Sequence, residues 1–206
     1  VLLAGPVPAA VALALGGYLA GLALVLALFR RGYPHDRPGL CNTVTLARLA
    51  LAAALLAPLV GGAAPGAVAA VALVALALDG ADGWLARRER LVSDFGARLD
   101  MEVDSALALI LAANAWAAGS VGPAVLLLGL PRYLFAGGML RWRWLDGPLP
   151  PSLARKAVCV VQIGALVVLQ LPGLPGGWAE ALVWAVLGLL GWSFGRDIRH
   201  LWQARA

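Results

Sequence analysis

The sequence predicts an all-α, polytopic transmembrane bundle, and three observations carry that reading. Of 206 residues, 62% are hydrophobic and only 13% charged, against roughly 45–50% and about 25% in soluble domains. The apolar residues gather into runs that approach the length needed to cross a bilayer. The basic residues sit at the ends of those runs, so a net charge of +5 reads as a topology signal rather than as a nucleic-acid footprint. Anionic lipid headgroups and phosphorylated substrates are the expected partners, and nucleic acid is not. No polar stretch is long enough for a soluble module, which favours one integrated bundle over two domains.

Seven apolar segments follow in order, at about 7–29, 43–61, 66–87, 95–118, 121–141, 153–172 and 178–195. Each nears the roughly 20 residues that span the hydrocarbon core. The first has no basic leader, is too long for a signal-peptide core and has its charges behind it, so a retained anchor is expected. Its Gly17 and Gly21 form a GxxxG pair suited to close helix contact. With no initiator Met, the sequence is expected to start after the true beginning. The loops GGAAPG (61–66), GSVGP (119–123) and PGLPGGW (172–178) carry no Lys or Arg.

The opposite loops hold Arg30, Arg31 and Arg37, then Arg87, Arg88, Arg90 and Arg98, then Arg141, Arg143, Arg155 and Lys156, and last Arg196, Arg199 and Arg205. The positive-inside rule then places the amino terminus outside and the carboxyl terminus in the cytoplasm, with a bacterial inner membrane as the expected location. Trp142, Trp144, Trp178 and Trp202 fall near the predicted interfaces. Cys41 and Cys159 lack any metal-ligand spacing and read as ordinary thiols; His35 and His200 belong to polar flanks.

The third and fourth segments break the apolar pattern. Asp79, Asp82 and Ala86 recur at i, i+3 and i+7, with Gly83 one turn beyond Asp79 on the same face. Gly96, Asp100 and Asp104 repeat at i, i+4 and i+8. A short loop joins the two segments, so the helices should lie antiparallel and the four carboxylates should converge. Each Asp costs about 2.5–3.5 kcal/mol at a membrane-helix centre, less near the interface. Hard divalent cations suit such an oxygen-rich cluster, and two ions would suit phosphoryl transfer. The plainer reading pairs these helix-end Asp residues with Arg87, Arg88 and Arg98. Glu89, Arg90 and Asp94 are expected in a solvated loop, and Arg98 with Glu102 as a structural i,i+4 pair.

These residues fit D-x2-D-G-x2-A-R-x8-G-x3-D-x3-D through Asp79, Asp82, Gly83, Ala86, Arg87, Gly96, Asp100 and Asp104. The pattern resembles the signature of the CDP-alcohol phosphotransferase (CDP-alcohol phosphatidyltransferase) family. The resemblance implies an integral membrane enzyme, usually a homodimer, that displaces CMP from a CDP-linked substrate with an acceptor alcohol. It also implies a six-helix catalytic domain over residues 40–206, preceded by an anchor and linker over residues 1–39. Asp79, Asp82 and Asp100 would ligate two Mg²⁺ or Mn²⁺ ions, and Asp104 would be the general base and also touch a metal. Gly83, Ala86 and Gly96 would clear room for the cytidine nucleotide, though small residues there equally serve helix packing. Arg87 would contact the nucleotide phosphates.

Other polar residues extend the candidate site. CNTVTLARLA (41–50) resembles the N-x-x-T-x-x-R segment at the start of that family's core, with Asn42, Thr45 and Arg48 roughly along one face. These three would touch the CDP moiety; capping and snorkelling explain them equally well. Arg132 stands deeper than its basic flank and calls for a phosphate or an Asp partner. Arg155 and Lys156, in PPSLARKAVCVVQ (150–162), faintly resemble a Gly-Lys segment of phosphatidylglycerophosphate synthases. Arg155 replaces that Gly, and Ser105 follows Asp104 where those enzymes often carry Lys, which counts against a glycerol-phosphate acceptor. Arg132, Arg155 and Lys156 are candidates for an acceptor phosphate, with topology anchoring as the alternative for the last two.

The leading expectation is phosphatidyl transfer from CDP-diacylglycerol to an acceptor alcohol. Transfer of a phospho-alcohol from a CDP-alcohol to diacylglycerol uses the same signature. From another class, an ion or proton transporter would also place Asp residues within the membrane, but it has no need of the Gly/Ala/Arg frame.

Overall fold

The computed structural model describes residues 8–32, 39–64, 66–147, 149–150 and 152–205. Among them every regular element is helical. In chain order these are α1 (Pro8–Gly32), α2 (Leu40–Ala54), α3 (Pro58–Gly61), α4 (Ala67–Arg88), α5 (Asp94–Ala117), α6 (Leu126–Gly129), α7 (Pro131–Arg141), α8 (Leu153–Val168) and α9 (Gly176–Ala204). The expected positions of His35 and Arg37 lie outside the described residues.

Four stretches are long and apolar enough to cross a membrane: Pro8–Arg30, Leu40–Gly61, Ala67–Arg88 and Gly176–Ala204. Among the described residues they become five when the bent fifth segment is counted as one span, against seven apolar segments in the sequence. The fifth expected segment is broken, because Pro131 has no N–H to carry the ladder onward and α6 and α7 meet at 64°. The sixth yields only the 16 residues of α8, about 24 Å of helix. The fourth, α5, is long enough, but its amino-terminal half carries the cluster carboxylates. A prolyl break also divides the second segment, where Pro58 opens α3.

The breaks are tolerated because side chains meet the carbonyls they expose. Asn114, buried on α5, donates to the Leu55 carbonyl at 2.8 Å, just past the end of α2. Gln162 on α8 donates to the Leu128 carbonyl beside the second break. In lipid no water is on hand to do this, so each such amide is a structural requirement.

The core is built from small residues that let helices approach closely. Ala72 and Ala75 of α4, Leu111, Ala112 and Ala115 of α5, Leu166 of α8 and Val183 of α9 are fully enclosed. Gly129 of α6 abuts α5 so tightly that an added Cβ would lie 2.6 Å from Leu109 Cα. Gly17 and Gly21 serve the same purpose within the chain. A Cβ at Gly17 would run into Leu56, and one at Gly21 would lie 2.8 Å from Leu49 Cδ1. The GxxxG pair therefore seats α1 on α2. Phe29 adds an edge-to-face contact with Phe95, at 4.9 Å between centroids.

Two glutamates close helix starts from distant sequence. Glu89, at the end of α4, accepts from the Leu40 N–H at 3.2 Å and the Cys41 N–H at 3.4 Å. Glu89 thus lies in the turn after α4, as expected, and gains a role there: the first turn of α2 offers unpaired donors and a positive dipole end, and a carboxylate answers both. Glu180 of α9 does the same for Gly122 N, before the 3₁₀ turn Pro123–Val125.

Candidate active site

Three helices build the site. On α4, Asp79 and Asp82 stand at i and i+3; on α5, Asp100 and Asp104 stand at i and i+4. Ser93 caps α5 by accepting from Gly96 N at 3.1 Å, which fixes where that helix starts. The third helix is α2, packed along α4 in the most extensive helix pairing of the chain. From it Arg48 reaches between the other two, about 12 Å from the start of α2.

Arg48 binds all four carboxylates. Its Nη1 donates to Asp82 Oδ2 at 2.8 Å and to Asp100 Oδ1. Its Nη2 pairs with Asp79 Oδ1 at 2.8 Å and donates to Asp104 Oδ1. The expected convergence is therefore present, and the plainer reading, with basic residues near in sequence as the counterions, does not hold among the described residues. Arg87, Arg88 and Arg98 take no part; the partner is a guanidinium only 1% exposed. Thr45 supports the group from one turn away, its hydroxyl 3.2 Å from Asp82 Oδ2 and 3.1 Å from the Cys41 carbonyl. One proton serves one of these acceptors at a time. Asn42 is buried on the same helix. Snorkelling is excluded for Arg48, because its head group is enclosed rather than drawn out to the surface.

The cluster is closed on one side and open on the other. Asp82 is buried, while the side chains of Asp79, Asp100 and Asp104 are about a third exposed or more, at 35%, 41% and 31%. Asp79, Asp82 and Asp100 each place one carboxylate oxygen within 4.8 Å of the others. Three hard oxygen donors at that spacing fit a Mg²⁺- or Mn²⁺-type ion. Asp104 is not part of that trio.

Around the cluster, the signature's small residues are not needed for packing. A Cβ on Gly83 would meet nothing closer than Arg87 Nη1 at 3.6 Å, and one on Gly96 would meet Ser93 Oγ at 3.4 Å. Both are ordinary contacts, so no close helix approach requires a glycine at either position. Arg87 is exposed and leans back over Gly83; Ala86 is partly buried between them in sequence.

The outlying basic residues have protein partners. Arg132 binds Glu102 through Nη2 at 2.6 Å and Nε at 3.2 Å. Its partner is thus a Glu rather than an Asp, and Glu102 does not form the expected pair with Arg98 among the described residues. Arg155 donates to Asp197 Oδ2 at 3.0 Å and to the Pro150 carbonyl at 3.0 Å. Lys156 is exposed. Sequence reasoning missed Asp197, buried on α9, where Arg196 also donates to Oδ1 at 3.0 Å and to Ser152 Oγ at 3.0 Å. The available signal was a lone Asp among the basic residues Arg196, Arg199 and His200 near the end of the last apolar segment. Cys159, one turn from Arg155 on α8, is within electrostatic reach of Asp104, so this second cluster belongs to the same end of the bundle.

Residues 39–192, which include α2, α4, α5 and every position of the Asp signature, match the description of the CDP-alcohol phosphatidyltransferase family. The chain belongs to that family. Its activity is accordingly the transfer of a substituted phosphate group between a CDP-alcohol and an acceptor alcohol, in a family that is generally dependent on divalent metal. The match leaves α1 outside. Neither a search of curated proteins nor one of solved structures yields a match.

Proposed function

We propose that the protein transfers a phosphatidyl group from CDP-diacylglycerol to an acceptor alcohol and releases CMP. The observation that supports this most is the convergence of Asp79, Asp82, Asp100 and Asp104, from two helices, on one partly open cluster. Asp79, Asp82 and Asp100 would hold Mg²⁺ or Mn²⁺, with Asp104 beside a second ion. When bound, the ions would neutralise the diphosphate and stabilise the leaving CMP phosphate.

The chain's own residues supply the rest. Gly83, Ala86 and Gly96 leave space for cytidine, and Arg87, exposed above Gly83, meets its phosphates. Asn42 and Thr45 complete that side from α2. Asp104 accepts the acceptor's hydroxyl proton as its oxygen attacks the lipid-linked phosphorus. The bond from that phosphorus to the bridging oxygen breaks, and CMP departs. Arg155, Arg196 and Lys156 form a positive group at the same end, suited to an acceptor that carries phosphate. The diacyl tails stay in lipid against the apolar flanks, with the site near the cytoplasmic face of a bacterial inner membrane. A homodimer goes with this reading.

The test is CMP release from radiolabelled CDP-diacylglycerol by purified protein in nanodiscs, with Mg²⁺ or Mn²⁺ and a panel of acceptor alcohols. Release should need one acceptor and should vanish in Asp79→Asn and Asp104→Asn. Unchanged turnover in both variants would refute the mechanism, and release from a CDP-alcohol only when diacylglycerol is the acceptor would reverse the lipid roles.

A further inference from the structure

The guanidinium of Arg48 lies where a cation bound by the cluster would have to compete. Nη1 is held between Asp82 and Asp100, and Nη2 between Asp79 and Asp104. Asp79, Asp82 and Asp100 each have one of their two carboxylate oxygens engaged in this way. A guanidinium stays protonated at any physiological pH, so it cannot give way by losing charge. It can only move.

Two features show that this arrangement is poised rather than complete. One positive charge stands against four carboxylates, leaving the cluster three charges negative when all are ionised. Arg48 Nε is also buried with no hydrogen-bond partner among the described residues. A buried side chain with a free donor and a surplus of acceptors around it is the reverse of a satisfied structural ion pair. Three of the four carboxylates are open to the outside, so an ion has access.

We propose that Arg48 is a resident cation that divalent metal displaces: it holds α2, α4 and α5 together in the metal-free protein and surrenders the carboxylates when the metal binds. This rests on the reading of the Asp trio as the metal site. It gives Arg48 a positioning role, distinct from that of a ligand or a base.

The experiment is Mn²⁺ binding to the full chain in detergent, read from the electron paramagnetic resonance signal of free Mn²⁺, with no substrate present. Arg48→Met should bind Mn²⁺ at least about ten-fold more tightly than wild type, and Arg48→Lys, which keeps the charge but cannot bridge four carboxylates, should fall between them. The metal-free melting temperature of Arg48→Met should drop, and Mn²⁺ should restore it by a larger shift than in wild type. Should Arg48→Met not fold, the wild-type arginine side-chain ¹⁵N spectrum gives a second readout. The Arg48 signal, assigned by its loss in Arg48→Lys, should move on saturation with Mg²⁺.

Asp100→Asn tests the ligand assignment separately. If wild type binds no Mn²⁺, or Asp100→Asn binds it as wild type does, the metal reading fails and the exchange with it. If that reading stands but Arg48→Met binds no tighter, or the Arg48 signal does not move, the exchange alone is overturned.

Discussion

Two ionic clusters lie at one end of the bundle with opposite stoichiometry. In the first, a single guanidinium, Arg48, faces four carboxylates from α4 and α5. In the second, a single carboxylate, Asp197, faces two guanidinia, Arg155 and Arg196. The lone member is the buried one in each: Arg48 is 1% exposed and the Asp197 side chain 11%, while most of their partners reach outward. Under the proposed function, the difference would suit the two clusters to two kinds of guest. An excess of carboxylates around a buried cation attracts further cations, and an excess of guanidinia around a buried anion attracts phosphate.

The largest way to break the contrast is at Asp104, the proposed proton acceptor. Asp104→Asn should lower kcat by roughly 10²–10⁴ with little change in KM for the CDP-lipid, measured by CMP release. Asp197→Asn should instead leave kcat near wild type and raise KM for a phosphate-bearing acceptor. A fall in kcat as deep as that of Asp104→Asn would merge the two clusters into one catalytic unit.

Ligand-induced stability separates them next. Mn²⁺ at 100 times its Kd should stabilise wild type by about 2.7 kcal/mol and leave Asp79→Asn unmoved in thermal unfolding. Asp197→Asn should keep that full response while losing up to about 1 kcal/mol of its own, since the amide keeps one acceptor oxygen and both guanidinia are partly open to water.

The glycines give a finer test. Gly129→Ala should cost about 1–3 kcal/mol, because the new methyl meets the backbone of α5. Gly83→Ala, whose new methyl would make only an ordinary contact with Arg87, should stabilise the helix by up to about 1 kcal/mol and yet weaken CDP binding. Smallest of all, Glu89→Gln should cost about 0.3–1 kcal/mol by removing a charge from the start of α2, seen as a lower melting temperature with the Mn²⁺ affinity intact.

How much of this was legible depends on the range of each interaction. The helical class followed from hydropathy, and the convergence of Asp79, Asp82, Asp100 and Asp104 from two helical periods and a short loop. The family signature was legible for the same reason, since all eight positions fall within one helix pair. The identity of the counterion was not. Arg87, Arg88 and Arg98 were near in sequence, whereas Arg48 lies 34 residues from Asp82 and 56 from Asp104. Local periodicity paired Glu102 with Arg98, but Glu102 turns across the chain to Arg132. The broken spans carried a visible sign in Pro58 and Pro131. What hid them was the unbroken hydropathy around each proline, which outweighed the missing N–H.

The carboxylate of Glu89 fastens the beginning of α2 to the end of α4. Together with the four contacts of Arg48, this fastens α2 to α4 at two heights, once at the very start of α2 and once about two turns further on. A residue outside the Asp signature thus helps to set the spacing of the helices that carry it.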